Sequence, residues 1–203
     1  MQGQDWFISG DGKHQICKSA RDWDLLRDNY RLYRFLTEVE DVLNQVEDES
    51  TCLPQLRMLV RRLMINSYWV QSQVLEPDPK TGTSVLLLYD ELGFPLTLQT
   101  VTFAPGTTSN IHNHGTWGIV AILKGQEKNT FWRRNPTDEF PDKIEKVGEL
   151  NLQPGDLISF TPETIHQVQA VGNEPTVTFN IYGETDPKER FEFYVTNHLA
   201  KKF

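Results

Sequence analysis

His112 and His114 lie two residues apart in TTSNIHNHGTWGIVAILKG, residues 107–125, a segment whose apolar and β-branched content reads as a strand. A period of two points both imidazoles to the same side of a sheet. Neutral imidazole is a ligand for divalent transition metals, and a third ring from elsewhere completes a neutral three-nitrogen site. His166, in FTPETIHQVQ, is the best candidate: its segment repeats the profile of a Pro/Gly turn, a β-rich run and a histidine before another β-rich run. About fifty residues separate the two segments, so the fold and not a local loop must close the site.

Of five histidines in the chain, three fall in these two segments, while His14 and His198 sit near the ends and read as surface residues. The competing reading of an HxH pair is a set of exposed or hydrogen-bonded histidines. Ligand softness alone does not choose among Fe, Ni, Cu and Zn. Three protein nitrogens leave coordination positions open for catalysis, whereas a structural zinc site is usually closed by four protein ligands. The two cysteines, Cys17 and Cys52, precede the strand region and form no CxxC pair, so neither offers a fourth ligand and both read as free thiols.

The elements that must position these residues follow from the pattern of the chain. At 203 residues there is enough chain for one well-buried core, and five tryptophans, six tyrosines and eleven phenylalanines supply its bulk. The formal charge of −8 disfavours non-specific binding to nucleic acid or an anionic membrane. The start, MQGQDWFISGDG, lacks the basic residues and apolar run of a signal peptide, and no apolar run is long enough to span a membrane. A soluble cytoplasmic protein, monomer or homodimer, is the expectation.

Residues 1–18 are weakly specified, with an extended piece around Trp6, Phe7 and Ile8. Ser19 and Asp22 have capping-box-like spacing, and Trp23, Leu26, Tyr30, Tyr33, Leu36, Val39 and Leu43 recur at helical spacing, predicting a helix over 20–46. Pro54 suits the first turn of a second helix ending before Pro77, with Leu56, Leu59, Val60, Leu63 and Ser67 on one face. Arg57, Arg61 and Arg62 fill much of the other face and are expected to be solvated. After Gly82 the period changes: strands are predicted at 84–89, 95–103, 118–123, 128–134, 149–152, 157–160, 166–171, 176–182 and 191–195. Residues 135–146 are expected to be an irregular insertion. Short strands between Pro/Gly turns favour a sandwich or barrel over α/β layers. One structural domain is expected, with residues 1–78 as a helical extension packed on a β unit of residues 79–203.

APGTTSNIHNHGTWGIVAILKG resembles the first motif of the cupins, and LQPGDLISFTPETIHQV resembles the second. More narrowly, HNHGTWGIVAILKG followed by PGD, TIHQV and NIYG resembles the cysteine dioxygenase and 3-mercaptopropionate dioxygenase family, over about residues 84–194. The resemblance implies a mainly β fold, the cupin double-stranded β-helix or jelly-roll barrel, with an N-terminal helical cover. It implies a non-heme iron oxygenase in which His112, His114 and His166 hold Fe(II), with Ni, Zn or another divalent metal able to occupy the isolated protein. A small thiol and O2 are then the substrates and a sulfinate the product. The glutamate that many cupins carry after the HxH would fall near Gly118 or Ile119 and is absent, and Gly118 stands where the mammalian enzyme has its thioether-forming cysteine.

Tyr182 falls on the family's active-site tyrosine; its plainer reading is an ordinary strand aromatic. The serine–histidine–tyrosine relay of the family reads here Thr178, Asn180 and Tyr182, so the spacing survives and the titrating imidazole does not. SVLLLYDE lacks the arginine that pairs with the carboxylate of cysteine, which disfavours free cysteine. Arg190, in DPKERFEF, stands where the mercaptopropionate enzymes place a carboxylate-binding arginine, a surface salt bridge being the alternative. Trp117 matches a tryptophan of the bacterial pattern, read as packing beside the metal or as plain core. Another metal-dependent cupin enzyme, an isomerase or a non-thiol dioxygenase, and a non-catalytic binding cupin stay open.

Overall fold

The computed structural model describes residues 3–18, 29–46 and 48–202. Thirteen strands and three α-helices succeed one another among them. The chain opens with β1 (Asp5–Ile8) and β2 (His14–Ile16), then α1 (Leu32–Leu43), a 3-10 turn at Glu49–Cys52, α2 (Leu53–Asn66) and α3 (Tyr68–Ser72). The strands resume with β3 (Thr83–Asp90), β4 (Leu96–Phe103), β5 (Ile111–His112), β6 (Gly118–Lys124) and β7 (Gln126–Arg134). They continue with β8 (Ile144–Leu152), β9 (Leu157–Phe160), β10 (Ile165–Val171), β11 (Thr176–Gly183), β12 (Phe191–Tyr194) and β13 (Leu199–Lys202).

These strands form two sheets, in the orders β2-β1-β9-β6-β11-β4-β3 and β13-β12-β5-β10-β7-β8. The closed jelly-roll barrel expected from the motifs is therefore corrected to two open sheets: each ends in edge strands, and among the described residues no ladder joins one sheet to the other. The passage from β6 to β7 carries the chain from one sheet to the other. At Gly125 the backbone turns with φ 73°, and an added Cβ would stand 2.5 Å from the Pro175 carbonyl oxygen, so the chain leaves one sheet and enters the other through a tight turn. Alternating apolar and polar residues specify the two faces of a strand. They do not encode the tilt and stagger that bring outer edges together.

Helices cover one face of the seven-stranded sheet. Leu56, Val60 and Leu63 of α2 and Phe35 and Val39 of α1 share a core with Leu98, Ile119, Phe179 and Ile181. Pro54 lies in the first turn of α2, where its missing N–H costs nothing, and the chain bends out of the helix at Ser67, whose hydroxyl accepts the Val70 N–H and starts α3. The expected apolar face of α2 is the buried one. At α1 the expected stripe holds at Tyr30, Leu36, Val39 and Leu43, which pack in the same core, but Phe35 joins it and Tyr33 is 69% exposed. Ser19, Asp22, Trp23 and Leu26, and with them the start of the expected helix, lie outside the described residues.

Two of the arginines expected in solvent are buried. Arg57 and Arg61 are 7% and 6% exposed, and both pair with Asp5 of β1, itself 3% exposed. Arg57 also donates to the Ser159 hydroxyl at 3.0 Å and Arg61 to the Gly155 carbonyl. The cause is β1, which lies parallel to β9 beneath α2; a carboxylate buried there requires cationic partners. The expected irregular insertion is shorter than 135–146 because β8 begins at Ile144 and its ladder to β7 opens with the Arg134–Ile144 pair.

Candidate metal centre

Two neighbouring strands of the six-stranded sheet bring His112 and His166 together, while His114, expected in the same strand as His112, lies just past the end of β5. His112 of β5 is the direct cross-strand partner of His166 on β10, and His114 follows two residues after His112. Ring centroids stand 4.8 Å apart for His112–His114, 4.9 Å for His112–His166 and 5.2 Å for His114–His166. One ring nitrogen from each lies within 4.8 Å of the other two, a cluster able to hold a divalent metal ion. Asn113, between two of the rings, faces the other way. Its amide donates to the carbonyls of Glu189 and Pro162 and accepts the Phe191 N–H at 2.7 Å, pinning the His112–His114 segment to the loop that carries Arg190.

Desolvation holds all three imidazoles below the ordinary histidine value, well below it for His114 and His166. The neighbouring rings add to this at His114 and His166, and the Arg190 charge adds to it at His112 and His114. Neutral rings are what metal ligation requires. His112 Nδ1 lies 2.9 Å from the Asn110 carbonyl, which can only accept, so that nitrogen carries the proton and Nε2 keeps its lone pair. The Nε2 atoms of His114 and His166 face each other at 3.0 Å. Two lone pairs at that distance repel unless a proton or a cation lies between them. Two nitrogens each about 2.1 Å from one ion and at a right angle to it stand about 3 Å apart, so this pair of donors fits a metal.

The wall beside the rings is aromatic. Phe160 of β9 stacks on His114 with centroids 5.0 Å apart at 27°, and Tyr182 of β11 stacks on it at 4.8 Å and 20°. Both explain Gly118: an added Cβ would stand 2.4 Å from Phe160 Cζ and 2.9 Å from Tyr182 Cδ1. Neither a cysteine nor a glutamate has room there, and Ile119 points into the helix-side core. Among the described residues no carboxylate joins the cluster.

The three positions of the expected relay form a hydrogen-bonded chain along β11. The Tyr182 hydroxyl donates to Asn180 Oδ1 at 3.2 Å, and Asn180 Nδ2 donates to the Thr178 hydroxyl at 2.9 Å. Burial, then the Glu127 charge, raises the Tyr182 phenol above its ordinary value, with Arg190 opposing. Arg190 is half-buried, and its charge is felt at His112, His114 and Tyr182. Trp117 is 2% exposed and packs in the core shared with the helices, its indole against Gly183. His14 is exposed, whereas His198 is half-buried against Phe140.

Sequence reasoning missed three residues. Phe160 was visible only as a strand residue. Asn129 Oδ1 lies 2.9 Å from His166 Nδ1, and Asn129 Nδ2 donates to Glu127 Oε1 at 2.7 Å. The sequence hardly singles out the last two: β7 reads QEKNTFWRR, polar over most of its length, and Glu127 lies just before the strand expected at 128–134.

No protein-family model matches the chain. Among solved structures it is similar to a recombinant oxalate oxidase in complex with glycolate, at 20% identity over 56% of each chain and a TM-score of 0.41. A cupin superfamily protein from Desulfitobacterium hafniense matches at 15% identity over 57% of this chain and 87% of that one, TM-score 0.42. A cupin-superfamily sugar phosphate isomerase from Silicibacter pomeroyi matches at 21% over 56% and 65%, TM-score 0.42. The chain thus spans little more than half the length of the oxalate oxidase it matches, and likeness at this level says nothing of its reaction.

Proposed function

We propose that the chain is an Fe(II)-dependent thiol dioxygenase of cupin type, oxidising a small acid-bearing thiol to its sulfinate, with free cysteine not favoured. The observation that carries this reading is the filled corner beside the histidines. Three imidazoles converge, and the position where a carboxylate ligand could stand lies under Phe160 and Tyr182. With three neutral ligands, a dication's charge is left for an anionic substrate to balance, and thiolate is such a ligand.

When bound, an iron(II) ion supplies open positions for a thiol sulfur and for dioxygen and the redox chemistry that joins them. The overall change, RSH plus O2 to RSO2⁻ plus H⁺, takes four electrons from sulfur and gives four to oxygen, so no outside reductant is consumed. The chain's residues orient the substrate. The Tyr182 hydroxyl commits its proton to Asn180 and so offers its oxygen as an acceptor, and Asn180, which cannot titrate near neutral pH, fixes that direction. Phe160 and Tyr182, neighbours in one aromatic wall with centroids 6.3 Å apart, both stack on His114 and hold its ring in place. Arg190 supplies a positive charge and a two-pronged donor for a carboxylate. No helix among the described residues is long and apolar enough to cross a membrane.

The test is to load the full chain anaerobically with Fe(II), add 3-mercaptopropionate, cysteamine or cysteine with oxygen, and assay sulfinate by mass spectrometry. Sulfinate from 3-mercaptopropionate, ahead of cysteine and in excess of protein, is expected, and it must vanish in His112→Ala. Arg190→Ala should weaken use of 3-mercaptopropionate by about 2–5 kcal/mol while sparing cysteamine, which has no acid. Stoichiometric metal binding with no thiol oxidised defeats the reading and leaves a metal-binding protein or an enzyme of another class.

A further inference from the structure

β7 carries Glu127 and Asn129 at a spacing of two, on the face it shares with Phe131, which pairs directly with His166 on β10. They are 2% and 0% exposed, and their cross-strand neighbours are apolar: Leu152 and Ala170 for Glu127, Leu150 and Val168 for Asn129. Burying an acid and an amide in such company is costly unless each is hydrogen-bonded, so the pair calls for a reason.

The reason lies in which end of the amide faces which partner. Asn129 Nδ2 donates to Glu127 Oε1 at 2.7 Å, and a carboxyl group keeps an accepting oxygen even when its other oxygen carries a proton, so the NH2 group faces Glu127. That leaves Oδ1, which can only accept, facing His166 Nδ1 at 2.9 Å. Nδ1 must then carry the proton, and Nε2, the atom that meets His114 Nε2, is left with its lone pair. We propose that Glu127 and Asn129 are positioning residues that lock His166 in its Nδ1-protonated tautomer and aim Nε2 at the metal, an inference that rests on the three histidines being a metal site. Glu127 acts through Asn129: without an acceptor beside it, the amide is free to turn its NH2 end to the imidazole, which stabilises the wrong tautomer. An imidazole held from behind in this way is a more basic and better-aimed ligand.

Two readouts on the full chain separate the relay from the function. Long-range proton–nitrogen correlation spectra of 15N-labelled, metal-free protein report the His166 tautomer, and titration with cobalt(II) alone reports affinity. The wild type should show Nδ1–H at His166. Asn129→Leu should lose that tautomer and bind cobalt about 10–100-fold more weakly. Glu127→Leu should behave likewise, whereas Glu127→Gln, which keeps an acceptor oxygen, should retain the tautomer and stay within a few-fold in affinity. If Asn129→Leu fails to fold, the contrast between the two Glu127 variants carries the test. An Nε2–H tautomer in the wild type, an unchanged tautomer in Asn129→Leu, or equal damage from Gln and Leu at 127 would overturn the proposal. An Nδ1–H tautomer in a wild type that binds no cobalt would instead leave the relay standing and defeat the metal-site reading.

Discussion

β11 has two buried faces of opposite character. Phe179 and Ile181 point toward the helices, where Phe179 meets the Phe35 ring edge-on at 6.4 Å. Thr178, Asn180 and Tyr182 point into the space between the sheets, where they form a hydrogen-bonded chain ending on the ring that stacks on His114. Phe179 and Asn180 are adjacent in sequence and nearly equal in burial, at 0% and 4% exposed. Exclusion from water therefore does not explain the difference between them. The helix side gains from apolar area removed from water, while the inter-sheet side bears desolvated polar groups that are tolerable only because each finds a partner. Stability is concentrated on one face and chemistry on the other.

That division breaks most visibly at its apolar half. Phe179→Ala should destabilise the fold by about 3–5 kcal/mol in chemical denaturation, yet whatever remains folded should bind metal with unchanged stoichiometry. A loss below about 1 kcal/mol would mean that the helices contribute little. On the polar half the cost depends on pH. Burial pushes the Glu127 carboxyl from 4.5 up to about 7, with the Asn129 hydrogen bond opposing; the Tyr182 phenol facing it is raised and stays neutral, and the His166 imidazole, reached through Asn129, is held well below its ordinary value by burial. Between those values the native state holds a proton that the unfolded chain has released, so stability falls as pH rises through that window. The total is about 3 kcal/mol in the metal-free protein. Glu127→Gln should remove that fall, leaving a flatter stability profile between pH 5 and pH 8. Identical profiles for the two proteins would show the inter-sheet interior to be better solvated than the contrast requires.

How much of this was legible depends on whether a feature is local. The HxH spacing, the third histidine and the strand at 157–160 follow from period and turn residues, and the structure brings the three imidazoles together. Arg57 and Arg61 were misread because their partner, Asp5, lies on a short strand more than fifty residues away with no pattern of its own. The barrel was misread because edge closure is a property of the whole sheet. Asn129 falls in the strand expected at 128–134 and Glu127 just before it, but only the register that sets Phe131 opposite His166 reveals what they support.

The smallest expected effect tests where the two faces meet the same strand, at β6. Gly118 faces the histidine side and Ala121 the helix side. Gly118→Ala inserts one methyl 2.4 Å from Phe160 Cζ and 2.9 Å from Tyr182 Cδ1, so two rings must shift. Overpacking of this kind costs about 1–3 kcal/mol. Both rings stack on His114, so their displacement should also turn that ligand, and metal affinity should fall along with the denaturation midpoint. A matched change on the other face of β6, Ile119→Val, should cost about 0.5–1.5 kcal/mol and leave metal titration curves superimposable on the wild type. The informative result is the pairing of the two measurements and not either alone. If Gly118→Ala lowers stability but its metal titration also overlays the wild type, Phe160 and Tyr182 yield without moving His114. The aromatic wall would then be packing that adjoins the site and not part of it.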